Sequence, residues 1–436
     1  MRPVPPPEVL LARLLPWIDC GPKGSARNRL LPAPLVVALL VLQALCRNLS
    51  CRGVLALLGA RLGLDAVPSS SAYCQARARL SAKQLDAADR ALAGRAPQWR
   101  GTRFAGRALK ALDSTTFTVL DTAQNRAAWS CPSGQREGCG FPVLSCLAVR
   151  ELCSGRMLAL SLARWSAHDM RLFRGAPAPF ARGDVLLADW AFDAFVFYAA
   201  VLAGGADAIC RLKDRHRRFL SATVRLARNE RLLRLRRPKH SSTVPKAALR
   251  ALPETIRLRL VHARIRVRGF RDEEIWIATT LLDRRAFPAR DILWAYERRW
   301  QIELAFRDVK SSMDGELLRV ASPDMARKAV RAFFLASNFV RILFQLSGLE
   351  DDARILSFKA ALPVATDFLL RLLGGEDART SLARLQPILR SLLFQRRKRP
   401  PQPRVRKRRR DRYPFLTAPR GEYIEIMHPK KYRKHA

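Results

Sequence analysis

A chain of 436 residues, 49% of them hydrophobic, can bury a large core and is expected to divide into about two to four domains. The formal net charge of +42 and the pI near 11.4 point to a polyanionic partner. Nine cysteines without a CxxC pair and six histidines without an HExxH-type spacing leave no zinc ribbon, disulfide framework or histidine-based metal site, and predict a reducing cytoplasm.

Arginine outnumbers lysine 65 to 14. Guanidinium groups fork onto phosphates and guanine edges, so this bias favours nucleic acid over a lipid surface. The most apolar run, residues 35–46, is too short to span a bilayer and reads as a core helix. With no signal peptide before the first helix, the expected setting has no membrane partner.

Residues 1–95 are rich in Leu, Ala and Arg with helical periodicity, broken by Pro32, Pro34 and Pro68. Serines 69–71 can cap a short helix from which Arg77 and Arg79 would project. The segment reads equally as a helix-turn-helix-like DNA-binding domain or as an all-helical dimerisation module.

From about residue 104 the period changes to that of strands. Residues 108–119, 142–149, 157–163, 184–188 and 208–212 are short apolar or alternating runs, and a helix over 192–203 separates the last two. Three strands in succession followed by strand–helix alternation predict an α/β fold, a mixed sheet flanked by helices. Residues 214–280 form an Arg-rich, β-rich insertion. Within it, 256–270 alternates Ile256, Leu258, Leu260, Ile265 and Val267 with Arg257, Arg259, Arg264, Arg266 and Arg268, which predicts an apolar face inward and a guanidinium face toward DNA. Helices are expected over 326–346 and 356–393, and the run 395–412 is a basic tail able to neutralise phosphates.

The segment 296–310 places Tyr296, Arg299, Glu303 and Lys310 at angles of about 0°, 300°, 340° and 320° on one continuous helix, a single narrow stripe. Ile302, Phe306, Val309 and Met313 form a buried stripe alongside. Asp113 ends an alternating strand, and Asp189 terminates the apolar run 185–188. A carboxylate at the carboxyl end of a buried strand faces the crevice where open sheets bind ligands. Asp113, Asp189 and Glu303 converging on one spot would need cations, and hard oxygen ligands select Mg²⁺, with Mn²⁺ able to substitute. Two such ions about 4 Å apart would activate a water or a DNA 3′-hydroxyl and stabilise the leaving oxygen without a histidine base.

In the order LDSTTF (112–117), DTxxN with Asp121, Thr122 and Asn125, GCGFP (138–142), LLADWAF (186–192), GFR (269–271), TTLLD (279–283) and the Tyr-Arg-Glu-Lys helix, the chain resembles the DDE transposases of bacterial insertion sequences, and within them the YREK-signature group. The resemblance covers about residues 70–345. It implies a ribonuclease H-like core with a β-strand insertion between the second Asp and the Glu. The implied domains are 1–95, 96–345 with the insertion at 214–280, a helical region 346–395 and the basic tail 396–436. It implies cut-and-paste movement of an element bounded by terminal inverted repeats, through a hairpin, by a homodimer in a synaptic complex that also engages target DNA in the bacterial nucleoid.

Carried over by residue, the resemblance makes Asp113, Asp189 and Glu303 the metal-binding catalytic triad, with Tyr296, Arg299 and Lys310 gripping phosphates and Arg211 a further DNA contact. The family often has Arg after the second Asp, where this chain has Trp190. Trp276 resembles the aromatic on which a flipped base stacks. Two other readings are a domesticated or inactive transposase-derived DNA-binding protein and a ribonuclease H-like structure-specific nuclease.

Overall fold

A computed structural model describes residues 13–21, 30–62, 67–95, 104–132, 140–176, 178, 180–214, 216, 223–241, 243–265, 273–347, 357–392, 423–425 and 432–434. The sequence expectations for Gly138, Arg266, Val267, Arg268, the GFR segment and the basic run 395–412 lie outside them.

Among the described residues, helices α1 (Ala33–Leu45), α2 (Cys51–Leu62), α3 (Ser70–Arg79) and α4 (Ala82–Ala93) precede the sheet. Ser69 caps α3 by accepting from Ala72 N at 3.1 Å, and Ser81 with Gln84 forms a reciprocal capping box on α4. The apolar run expected to form a core helix is α1, with most of its residues buried.

The sheet follows. Its first half comprises β1 (Leu109–Val119), β2 (Val143–Glu151), β3 (Met157–Arg164), β4 (Val185–Ala188) and β5 (Asp207–Arg211), with helices α5 (Ala123–Trp129) after β1, α6 (Asp169–Gly175) after β3 and α7 (Phe195–Ala203) after β4. β1, β2 and β3 are antiparallel neighbours, while β4 and β5 run parallel to β1 on its other side. That order, 3-2-1-4-5 with helices on both faces, is the ribonuclease H-like arrangement. β4 is VLLA with every residue buried, as a parallel strand covered on both faces must be.

The Arg-rich insertion does not stand apart. Its strands β6 (Val224–Ala227), β7 (Glu230–Arg236), β8 (Thr255–Ile265) and β9 (Glu273–Thr279) extend the same sheet antiparallel beyond β5, with α8 (Lys246–Arg250) between β7 and β8. The outward guanidinium row is only partly present. Arg257 is exposed, but Arg259 is 0% exposed and donates from Nε to Glu230 at 2.7 Å and from Nη1 to Phe287 O at 2.6 Å. An internal carboxylate 29 positions upstream turned that arginine inward.

After β9 come α9 (Ala289–Glu297), α10 (Trp300–Arg307), a π-helical turn (Asp308–Ser312), the two-residue strand β10 (Leu317–Leu318) on the far end of β1, and α11 (Pro323–Leu346). Helices α12 (Phe358–Leu373) and α13 (Ala378–Ser391) follow. α11 is long and apolar enough to cross a bilayer, yet 89% of its apolar window is buried inside the fold. It is the central helix of one hydrophobic core, which runs from Leu14 through the N-terminal helices and one face of the sheet to Leu389. Asn338 in its middle ties the layers together, accepting from Met157 N at 2.7 Å and donating to Asp89 at 2.9 Å. A second core under α6 and α7 covers the opposite face of the sheet.

The DTxxN residues serve this framework. Thr122 caps α5 and donates to Ala321 O at 2.7 Å, and Asn125 Nδ2 donates to Leu120 O and Val320 O at 2.9 and 3.0 Å. They fasten the end of β1 to the chain entering α11.

Candidate active site

The last residue pair joining β1 and β4 is Leu112 with Ala188, and the last joining β4 and β5 is Ala188 with Cys210. Asp113, Asp189 and Arg211 are therefore the next residues of three adjacent parallel strands, one row at the point where β4 stops. Asp113 does not end its strand as the sequence suggested; β1 continues to Val119 beside β2, and it is the loss of β4 that opens a crevice. Leu109, Ala111, Val185, Leu187 and Ile209 belong to the larger core, so by strand alternation the row faces the same side as α10.

Asp189 caps the 3₁₀ turn Trp190–Phe192, accepting from Trp190 N at 2.6 Å, and its carbonyl accepts from Cys210 Sγ at 3.0 Å. Below it the buried Asp193 accepts from Tyr198 Oη at 2.8 Å and Lys213 N at 2.7 Å and meets His216 Nδ1 at 2.7 Å. Three contacts on one internal carboxylate lock the loop after β4 to the loop after β5.

Glu303 reaches the row from α10. Arg299 joins the two: Nη1 donates to Asp113 Oδ2 at 3.2 Å and Nη2 to Glu303 Oε1 at 2.7 Å. Its side chain is nearly buried, flanked by the Tyr296 and Trp300 rings at 6.0 and 5.5 Å, and its Nε is buried without a hydrogen-bond partner. The guanidinium thus stands where a cation between the carboxylates is wanted. Among the described residues no three His, Cys, Asp or Glu side chains are grouped to hold a metal ion, consistent with the fork lying between Asp113 and Glu303. By donor chemistry the three carboxylates fit a hard divalent cation, provided Arg299 withdraws.

Burial pushes the Asp113 carboxyl up to about 6; Arg299 and the Ser114 N–H pull the other way, and Asp189 and Glu303 add to the rise. Its pKa in the fold thus exceeds its unfolded value. The stability contributed by its protonation is present at low pH and lost as pH rises through about 6. In metal-free protein, Asp113→Asn is expected to melt above the unsubstituted chain at pH 7.5, by on the order of 1–3 kcal/mol, with the gap closing toward pH 4. Thermal melts in EDTA at both pH values check this, and a variant less stable at pH 7.5 refutes it.

The expected stripe holds for Arg299 and Glu303, an i,i+4 ion pair, although the helix is not regular from Tyr296 to Lys310. α9 ends at Glu297, and Arg298, Arg299, Gln301 and Ile302 make i→i+3 bonds that tighten the junction before α10. Lys310 lies in the π turn, its Nζ 5.7 Å from the Phe117 ring, four residues beyond Asp113 on the same face of β1 and roughly 13 Å along that strand. Tyr296, half-buried, has its pKa raised mainly by burial; Cys210 and Asp189 add to the rise while Arg299 and Arg211 oppose it, which places its hydroxyl beside the row.

Residues that sequence reasoning missed hold α10 in place. Arg150 at the end of β2 donates to Gln301 O at 2.5 Å, and Arg341 of α11 donates to Asp308 Oδ2 at 2.8 Å, so the helix bearing Glu303 is held at both ends. Burial lowers Arg150 to about 9, with Arg341 acting in the same direction. The available signal was charge inside apolar surroundings, Arg150 closing the run 142–149 and Arg341 within the apolar α11.

Trp276 is not at the site. Ile275 and Ile277 join the core on the triad's face, whereas Trp276 packs on the opposite face and against the His262 ring at 4.7 Å. Strand parity therefore removes it as a platform for a base held at the carboxylates. The aromatics beside the carboxylates are instead Trp190 and Trp300, 54% and 59% exposed. Arg79 is exposed on α3, but Arg77 does not project; its Nη1 lies 2.7 Å from Cys51 Sγ.

A family model for the transposase DDE domain matches residues 105–339. Over 373 residues the chain is 24% identical to the transposase InsG for insertion sequence element IS4 of Escherichia coli, spanning 81% of this chain and 80% of that protein. Among solved structures, the piggyBac transposase synaptic complex with hairpin DNA is similar at a TM-score of 0.42 and 9% identity, covering 92% of this chain and 86% of that one.

Proposed function

The chain belongs to the transposase DDE domain family, and from that premise we propose that it recognises the terminal inverted repeats of its own insertion sequence, cuts the element ends and joins them to target DNA. The row Asp113–Asp189, met by Glu303 from α10, is the observation that carries this reading.

In this proposal Asp113, Asp189 and Glu303 hold Mg²⁺ or Mn²⁺, two ions per site. The bound metal supplies activation of the attacking oxygen and stabilisation of the leaving oxygen. The remaining residues place the substrate. Arg299, leaving the carboxylates, turns its fork to the phosphate at the cut; Arg211 and Tyr296 flank the same phosphate from the end of β5 and the end of α9. Lys310 serves a phosphate further along the strand. The exposed Trp190 and Trp300 offer flat faces to a base freed from its stack during a hairpin step. Two element ends must be cut together, which calls for a homodimer in the synaptic complex. The net charge of +42 supplies the sequence-independent attraction to DNA.

Gel-shift titration against the DNA flanking the gene tests recognition. Terminal inverted repeats are expected to bind at least ~10³-fold more tightly than unrelated duplex at equal salt. Equal affinity for both would refute specific end recognition.

A further inference from the structure

α2 begins at Cys51 directly after Ser50, whose Oγ accepts from Gly53 N at 3.0 Å, so the Cys51 sulfur sits at the amino end of a 12-residue helix. Three donors converge on it. Arg77 Nη1 is 2.7 Å away, Cys74 Sγ 3.8 Å and Gln43 Nε2 3.9 Å. The cradle is rigid: the Tyr73 hydroxyl donates to Gln43 Oε1 at 2.8 Å, Gln43 Nε2 also donates to Leu49 O at 2.7 Å, and Arg77 lies 5.6 Å from the buried Tyr73 ring. Cys74, on α3, is exposed, and Cys51 is half-buried beside it. By contrast Cys20, Cys146, Cys153 and Cys210 are buried.

We propose that Cys51 and Cys74 form an oxidisable dithiol that closes to a disulfide between α2 and α3 when the protein meets a hydroperoxide. Nothing in DNA cleavage requires these thiols, so the site stands apart from the transposase chemistry. The Arg77 guanidinium and the helix amino end stabilise the charge that Cys51 sulfur carries as it attacks. That sulfur attacks a peroxide oxygen. An S–O bond forms, the O–O bond breaks, and water or alcohol leaves with the peroxide reduced and Cys51 oxidised to the sulfenic acid. Burial and the neighbouring Cys51 raise the pKa of Cys74, which marks it as the thiol that keeps its proton until the second step. Cys74 sulfur then attacks Cys51 sulfur; the S–S bond forms, the S–O bond breaks, and the hydroxide leaves as water with the Cys74 proton. The two sulfurs already stand 3.8 Å apart, in van der Waals contact, so the attacking and attacked atoms are adjacent before the reaction.

The test treats the full-length protein with stoichiometric hydrogen peroxide, blocks remaining thiols and maps tryptic peptides. The expected product joins peptides 48–52 and 62–77 with the loss of two hydrogens. In Cys74→Ser, dimedone should trap Cys51 as the sulfenic acid. Arg77→Gln should slow closure by at least ~5-fold and Arg77→Lys should restore part of the rate, a pattern that loss of packing alone does not give. Cys51 and Cys74 remaining alkylatable after peroxide, or a different cysteine pair closing first, overturns the proposal.

Discussion

Alanine at Asp113, Asp189 or Glu303 is expected to reduce strand cleavage by at least ~10³-fold while leaving binding of the element ends within a few-fold of the unsubstituted protein. The separation follows from where the charges lie. The three carboxylates make no net attraction to DNA, and removing one lowers local negative charge without touching the basic surface that supplies affinity. In the proposed site, losing one of three oxygen ligands would leave the metal poorly held. Each variant should also fail to gain thermal stability on adding Mn²⁺. Quantitative binding with cleavage measured in the same Mg²⁺ buffer decides the matter, and any one of the three variants cutting at the normal rate would remove that residue from the site.

The second large effect concerns Arg299, whose fork joins Asp113 and Glu303 at 3.2 and 2.7 Å. Its guanidinium neutralises the cluster in the absence of metal, and its two ion pairs must be given up before a divalent ion can take the same oxygens. Arg299→Gln is therefore expected to lower metal-free stability by on the order of 1–2 kcal/mol, since it leaves partly buried carboxylates facing one another. The same change should tighten Mn²⁺ binding about tenfold, because competition worth roughly 1.4 kcal/mol disappears. Calorimetric titration with Mn²⁺, done without DNA, reads this independently of turnover. Unchanged or weaker binding would show that Arg299 is not a counter-ion exchanged for metal. On the role proposed for Arg299, cleavage by the variant should still fall, since the phosphate at the cut would lose its bidentate partner.

Much of this architecture was legible in the sequence because it rests on local periodicity. The alternating run 108–119 and the continuous apolar run 185–188 became β1 and β4, and the carboxylates at 113 and 189 followed from the rule that parallel strands end at a crevice. The Glu303 helix was legible too, but its shape was not. A continuous stripe from Tyr296 to Lys310 assumed an unbroken 3.6-residue repeat, whereas α9 gives way to α10 at residues 298–299 and a π turn spans Asp308–Ser312, places where Arg299 meets Asp113 on β1 and Asp308 meets Arg341 on α11. Trp276 failed for a different reason. Its face depends on the parity of β9 against β5, set by the pairing of Arg211 with Ile277, which no local pattern announces. Arg259 and Arg77 were read as outward arginines, and each met a partner, Glu230 or Cys51, that only the folded chain brings near.

The central claim is that Asp113, Asp189 and Glu303 form a metal-dependent centre that cuts DNA at the ends of an element. Single-turnover cleavage of a linear duplex carrying one element end and its flanking DNA tests this most directly, with the unsubstituted protein in Mg²⁺ and in EDTA. The expected result is a nick at the element boundary leaving a 3′-hydroxyl, formed in Mg²⁺ and absent in EDTA. Cleavage that persists in EDTA, or that falls at positions unrelated to the boundary, would contradict it.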